Sequence, residues 1–479
     1  MIAQGYIFSA LYVALCLTVS ALLYKLGAPK RITRKVLHVL VGGVWFILYH
    51  TVGVSWHFFA VCLIFLILLI IEFKCKLFPT MSSDGDNAPG TVYYAVAMSA
   101  LALVTMLLPK MIFPFGIGVL CTSLGDGAAG LAGSSAKKHN PQILGSKTLV
   151  GTASGFAVSF AAVLAFSAIY SLWLDWWHCL AIAAFSAVLE LIFGKGFDNV
   201  GVALGTAALS YMILYHSEIA GILLPIIFTP LIIVLAYSKK ILSKTAIVGA
   251  LLLDLSVSAV FGNFGFLMLS AFLFGSVAVD KVKRRSAAHS HLNKKSEREC
   301  RNLLQVFSNG FAAMLSALLF ALTSHAVFVI TFSASLAEAF SDTCASGIGV
   351  FAKRTYDPFR RKTCETGISG GMSWLGTLAS LLAAAVISVI PLACVRLSVL
   401  EAAIVTSAAF IGAFADSMMG SLVQVKYKCQ ICGKITETHK HCGKDTVRYS
   451  GCSVIDNNAV NLISTFVACF VAAALYLLV

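Results

Sequence analysis

Apolar runs of about 17–25 residues recur along the whole chain, separated by short polar breaks. Each is long enough to cross a hydrocarbon core of about 30 Å as a helix. The pattern predicts spans at 5–24, 36–52, 56–73, 91–109, 111–133, 148–171, 177–193, 200–216, 219–237, 245–261, 263–280, 304–322, 325–351, 367–390, 396–424 and 456–478. The expected fold class is therefore all-α, a polytopic integral membrane protein of about sixteen transmembrane helices. Residues 5–24 have no basic stretch before them and no small-residue cleavage site after, so they read as the first span rather than a removable leader.

Composition strengthens this reading. The 479 residues are 59% hydrophobic and only 12% charged, and the mean hydropathy is +0.89. So few charges do not cover a soluble surface. The net charge of +14 has two explanations: nucleic-acid binding, or basic loops that fix membrane orientation. Placement decides between them. Every second connection collects the Lys and Arg residues, with eight in 281–301 and six in 426–448, while Lys110 and Arg396 alone fall on the other side. This places the functional loops in the cytoplasm and both termini outside. The surroundings are membrane lipid, and no nucleic-acid partner is needed.

Two related units are expected, 1–240 and 241–479, with the break in the polar stretch Ser238–Lys244. Arg34-x3-His38-Val39 followed by Gly42-Gly43 is echoed by Arg301-x3-Gln305-Val306 followed by Asn309-Gly310. Asp126, Gly133 and Lys137 are echoed at the same offsets by Asp342, Gly349 and Lys353. Lys147-Thr148-x2-Gly151 is echoed by Thr366-Gly367-x2-Gly370, and Asp198-Asn199 by Asp456-Asn457. Repeats of this kind imply one supersecondary plan used twice.

Carboxylates inside apolar spans are costly, about 2.5–3.5 kcal/mol each, and mark functional sites by default. In the first half they are Asp126, Glu190 and Asp198. Asp126 lies in Leu124-Gly125-Asp126-Gly127-Ala-Ala-Gly130, whose glycines either let backbone approach a phosphate or pack helices closely. Asp126 can hold Mg²⁺. Gly145-Ser-Lys147-Thr148-x2-Gly151 places a cation, hydroxyls and glycines at a helix start, which suits an anionic phosphate. It is not a Walker loop, because Asn140 stands where the first glycine is required. Glu190 closes one helix and Asp198-Asn199 opens the next. They coordinate Mg²⁺ or orient a hydroxyl, or else Asp198 is an ordinary N-cap. Arg34, Lys35 and His38 begin a helix at the same face as phosphate contacts or a proton carrier.

Together the blocks RKVLHVLVGG, LGDGAAGLAG, GSKTLVGT and E-x7-DN resemble the membrane polyprenol kinases, the family of dolichol kinase and phytol kinase. The resemblance covers about residues 30–215. It implies CTP, or another nucleoside triphosphate, as phosphate donor to a long isoprenoid alcohol with Mg²⁺.

The second half resembles another integral-membrane family, one that includes the plant phytyl-phosphate kinase. The matching residues are Arg301 to Gly310, Asp342-Thr-Cys-Ala-Ser346, Thr366 to Ser373, Asp416 to Gln424 and Asp456 to Asn461. The resemblance implies catalytic roles for Asp342, Asp416, Asp456 and Asn457, with Mg²⁺ on Asp342 and Asp456. It implies ligand contacts for Arg301, Gln305, Asn309, Ser346, Thr366, Ser369, Gly370 and Asn461. That family continues Asp-Thr-x-Ala-Ser with Glu, whereas this chain has Gly347, and Glu338 or Glu365 would have to compensate.

Fourteen Cys are present, ten of them scattered and mostly in apolar spans. Cys429, Cys432, Cys442 and Cys452 instead share the loop 426–455. In a cytoplasmic loop metal ligation is the better reading of clustered Cys than a disulfide. Cys429, Cys432, Cys442 and one of His439, His441 or Cys452 would make a zinc tetrahedron.

The sequence thus points to a two-unit kinase that phosphorylates an isoprenoid alcohol and then the isoprenyl phosphate. One rival is a single-step lipid kinase with a scaffolding second half. A cytidylyltransferase-like enzyme is another, distinguished by release of pyrophosphate. The third is a secondary transporter, distinguished by uptake without nucleotide consumption.

Overall fold

The computed structural model describes residues 2–75, 90–136, 140–144, 147–194, 196–215, 219–239, 241–289, 300–364 and 368–479. Gly145, Thr366 and Glu365 from the motifs above lie outside these. The chain divides into two compact units, Met1–Leu235 and Ala236–Val479.

Unit 1 contains α1 (Ile2–Lys25), α2 (Lys30–Val41), α3 (Val44–Thr51), α4 (Trp56–Cys75), α5 (Gly90–Leu107), α6 (Ile112–Leu120), α7 (Asp126–Ser135), α8 (Leu149–Ile169), α9 (Trp176–Ile192) and α10 (Asp198–Tyr215). The next helix, α11, is Leu223–Ser238. Unit 2 contains α12 (Lys244–His289), α13 (Leu303–Thr323), α14 (Val327–Gly349), α15 (Trp374–Cys394), α16 (Val399–Leu422) and α17 (Asn457–Leu478).

The helices are inside-out relative to those of a soluble protein. In α15 the buried face is Gly376, Ser380, Ala384 and Ser388, while Leu378, Leu382, Val386 and Val389 point outward. Small residues bring helices close together, and large apolar ones face hydrocarbon, where only structures with internally satisfied backbones survive. Two stretches form the interiors. Pro109–Ser135 has 83% of its apolar window buried and Val327–Gly349 has 72%, against 17% for α1. They carry Asp126 and Asp342, so each unit holds a carboxylate on its innermost helix.

Among the described residues twelve helical stretches are long and apolar enough to cross a membrane, rather than sixteen. The difference has local causes. The expected spans 245–261 and 263–280 form one helical stretch, kinked at Gly262 (φ +56, ψ −136), a conformation that favours glycine. The helices α9 and α11 are apolar but short, and α10 opens on Asp198-Asn199.

Short strands interrupt the all-helical plan in the loops. β1 (Gln142–Leu144) pairs with β2 (Lys147–Thr148), and β3 (Thr355–Asp357) with β4 (Lys362–Cys364). The Cys-rich loop holds β5 (Lys426–Lys428), β6 (Ile435–Thr436), β7 (Lys440–His441), β8 (Lys444–Asp445) and β9 (Val447–Ser450). There β5 lies between β6 and β9, and β7 pairs with β8.

Candidate active site

In unit 1 the approach of α2 to α7 sets the site. A Cβ at Gly127 would strike Val39, and one at Gly42 would strike Ser123, so these glycines let the helices touch. A π-turn, Cys121–Gly125, precedes Asp126, the kind of irregularity that often marks a functional position. Lys35 and His38, one turn apart on α2, both reach Asp126. Lys35 Nζ is 2.7 Å from its Oδ2 and His38 Nε2 is 3.5 Å from the same oxygen. His38 Nε2 also donates to the Thr122 carbonyl at 3.0 Å, and its ring stands edge-on to Tyr94. This proton is committed to the π-turn, so His38 fixes α2 in place.

A second ion cluster lies in the same cleft. Lys147, on β2, donates to Glu190 at the end of α9 and to Asp198 at the start of α10, the latter at 3.2 Å. Burial works against the Lys147 charge, but Asp198 and Glu190 more than offset it and hold the ammonium above the ordinary lysine range. Lys147 is thus a fixed cation and not a base. The next residue, Thr148, caps α8 by accepting from Gly151 N. Asn199 donates from Nδ2 to Gly90 O at 2.7 Å, leaving its buried Oδ1 without a partner.

One cleft of about 1490 Å³ is lined by Arg34, Lys35, His38, Asp126, Gly130, Lys147, Thr148, Gly151, Glu190, Asp198 and Asn199. Its wall continues over Leu37, Val41, Phe58, Phe65, Leu68 and Phe115. A charged end and an apolar wall suit an amphipathic ligand. The sequence-predicted residues of the first half thus converge, apart from Gly145, which lies outside the described residues, and Gly125 and Gly127, which pack helices. Tyr94, Thr122 and Gly90 carried no motif and were missed.

Unit 2 repeats the local geometry with different chemistry. Ser373 caps α15 by accepting from Gly376 N. A Cβ on Gly376 would lie 2.9 Å from Ala345 O, 3.1 Å from Ser373 Oγ and 3.2 Å from Gly349 Cα. A Cβ on Gly151 would lie 2.9 Å from Ala129 O, 3.1 Å from Thr148 Oγ1 and 3.4 Å from Gly133 Cα. The counterpart of Thr148-x2-Gly151 is therefore Ser373-x2-Gly376, not the expected Thr366 to Gly370. Gly370 instead adopts φ +88 and packs onto Ser421. The match is displaced by six residues from the expected one, because the connection from Gly349 to Gly376 is nine residues longer than that from Gly133 to Gly151. At the position of Lys147 stands Met372.

The carboxylates of unit 2 accordingly lack a lysine. Glu338 and Asp342, one turn apart on α14, and Asp416 on α16 lie within electrostatic reach of one another. Glu338 Oε1 and Asp416 Oδ2 are buried without hydrogen-bond partners. Among the described residues no Lys or Arg forms an ion pair with them. Position 347 lies about 140° around the helix from Asp342, and a Cβ there would strike Val279. Glu at 347 would thus face away from this cluster.

The other residues expected in the second site have local partners. Arg301 pairs with Asp280 at 3.0 Å. Gln305 closes a capping box with Asn302. Asn309 accepts from Asn461 at 3.1 Å. Ser346 bonds the Thr343 carbonyl. Asp456 is exposed and caps α17 through Ala459 N, with Asn457 exposed beside it.

In the Cys-rich loop the ligand atoms of Cys429, Cys432, His441 and Cys442 all lie within 4.8 Å of one another. Hydrogen bonding from the Cys432 backbone leads the effects that hold the Cys429 thiol down, to about 6.

Residues 227–469 match the family described as integral membrane protein DUF92. This chain belongs to that family. It is also similar to the phytol kinase of Synechocystis, 28% identical over 213 residues, which is 42% of this chain and 88% of that one. To protein VTE6, chloroplastic, of Arabidopsis thaliana it is 30% identical over 190 residues, 39% of this chain and 57% of that one. No solved structure matches.

Proposed function

We propose that unit 1 transfers a phosphoryl group from CTP or another nucleoside triphosphate to a long-chain isoprenoid alcohol, and that unit 2 phosphorylates the resulting monophosphate. The observation that carries the reading is the cleft of unit 1, where two lysine–carboxylate clusters meet an apolar wall. The similarity to a phytol kinase supports it.

Phosphoryl transfer is mainly positioning and neutralisation of charge. Lys35, Lys147 and Arg34 are the cations available to triphosphate oxygens. The apolar wall seats the isoprenoid chain with its hydroxyl toward Asp126 and Asp198. The hydroxyl oxygen bonds to the γ-phosphorus, the bond to the β-phosphate breaks, and the hydroxyl proton passes to a carboxylate of the cluster. Mg²⁺, when bound, neutralises phosphate charge. The oxygen donors of Asp126, Asp198 and the unpartnered Asn199 Oδ1 suit such a hard cation. In unit 2, with Met372 in place of the lysine, Asp342, Asp416 and Glu338 are the carboxylates that would hold Mg²⁺, which would neutralise charge on an anionic acceptor. The loops carrying both sites face the cytoplasm in this reading, which the Lys and Arg distribution supports.

Purified protein incubated with labelled CTP or ATP and a panel of isoprenoid alcohols should form isoprenyl monophosphate and nucleoside diphosphate. Release of pyrophosphate, or no turnover of any alcohol, would contradict the assignment.

A further inference from the structure

The Cys-rich loop contains a ligand set and, between its two halves, the carboxylate Glu437. His441 Nδ1 lies 3.4 Å from Cys432 Sγ and 3.3 Å from Cys442 Sγ. A zinc tetrahedron with bonds of about 2.3 Å to sulfur and about 2.0–2.1 Å to nitrogen sets its ligand atoms about 3.5–3.8 Å apart. These two distances are close to that spacing, and all four ligand atoms lie within 4.8 Å of one another. The backbone gives a second, independent sign. Cys442 sits at φ +52, left-handed and strained for a residue with a Cβ, and persists there only where its surroundings hold it. Gly443 (φ +78) follows it, as Gly433 (φ +71) follows Cys432, forming two matched turns. His439 lies outside the cluster, with its ring against Tyr427.

The same loop grips unit 2 at one residue. Glu437, directly after β6, accepts from Ser369 N at 3.1 Å. Lys426, the first residue of β5, donates to Ser369 O at 2.7 Å. Ser369 and Gly370 rest on Gly420, where a Cβ would lie 3.0 Å from Gly370 N. Gly420 is one turn beyond Asp416 on α16, and Glu437 lies within electrostatic reach of Asp342 and Asp416.

We propose that Cys429, Cys432, His441 and Cys442 bind zinc, and that the zinc-held loop is a strap fixing Glu437 beside Asp342 and Asp416 as a positioning residue. It supplies a carboxylate from outside the helices to the cluster that Gly347 does not serve. The role of Glu437 in turnover rests on the proposed activity of unit 2; the zinc and the grip on Ser369 do not.

The test uses the full chain purified in detergent without chelator. Metal analysis should give about one zinc per chain. Replacement by Co²⁺ should produce thiolate-to-cobalt absorption that Cys432→Ser loses. Removing zinc should accelerate amide exchange in 368–372. Glu437→Gln should keep the metal and its spectrum, yet accelerate the same exchange about tenfold, as expected when a charge-assisted hydrogen bond becomes a weaker neutral one. It should also lower diphosphate formation without changing monophosphate formation. Protein that takes up neither metal, or exchange in 368–372 indifferent to both zinc removal and Glu437→Gln, would overturn the strap. If no form of the protein makes diphosphate, the kinase reading of unit 2 fails, while the metal and exchange results still decide the strap.

Discussion

Lys147→Met would give unit 1 the residue that unit 2 carries at the matching position, and its cost can be worked from the geometry. The substitution removes the ammonium shared by Glu190 and Asp198, whose side chains are 9% and 15% exposed. Removing one partner of a buried ion pair costs about 3–5 kcal/mol, and access of water at the mouth of the cleft reduces this to about 3 kcal/mol. In a unit of this size that lowers Tm by about 6–12 °C. Thermal unfolding in detergent measures it. Adding Glu190→Gln removes one of the two stranded charges and should restore about half of the loss. Neither variant should phosphorylate the alcohol, because the phosphate cation is gone in both. Lys147 titrates above its unfolded value. Its contribution is therefore fully present below about pH 10 and lost as pH rises through the higher folded value, so the deficit should be flat from neutral pH to about 9. A loss under about 1 kcal/mol, or no recovery on adding Glu190→Gln, would refute the ion-pair reasoning. Normal turnover by Lys147→Met would remove Lys147 from the chemistry.

Other outcomes follow from the same geometry. Thr148→Val and Ser373→Ala should each destabilise by about 1 kcal/mol, since both hydroxyls cap helices in the same way; a difference of several-fold between them in thermal unfolding would deny the structural match. Gly151→Ala and Gly376→Ala should each cost about 1–3 kcal/mol, because the added carbon would press on the Ala129 or Ala345 carbonyl. Single Cys tags in 281–301 should be shielded from impermeant reagent outside intact cells, and tags near Lys110 or Arg396 labelled. The reverse pattern would invert the orientation.

Membrane class and helical architecture were legible because long apolar runs and loop charge are properties of chain segments, independent of how the helices pack. The convergence of Lys35, Asp126, Lys147, Glu190 and Asp198 was legible because all five fall at or near the ends of apolar spans on the side that collects the Lys and Arg residues. The span count was less so, since Gly262 joins two runs into one helical stretch. The second unit was harder. Thr366 to Gly370 echoes the first motif in letters, but the cap is a matter of backbone and formed at Ser373 and Gly376, at the end of a connection nine residues longer than that of unit 1. The spacing from Gly349 to Ser373 carried that signal only with the longer connection allowed for. Glu437 had no signal at all, because a single acidic residue in a polar loop is ordinary until folding brings it to Ser369.

The most direct test of two separate sites follows each substrate through variants of each unit, using labelled nucleotide with an isoprenoid alcohol or its monophosphate. Asp126→Asn should abolish use of the alcohol and leave use of the monophosphate near normal. Asp342→Asn should do the opposite, so that monophosphate accumulates from the alcohol and no diphosphate forms. Loss of both steps in either variant would contradict independent sites, and unchanged products in Asp342→Asn would show that unit 2 does not phosphorylate the monophosphate.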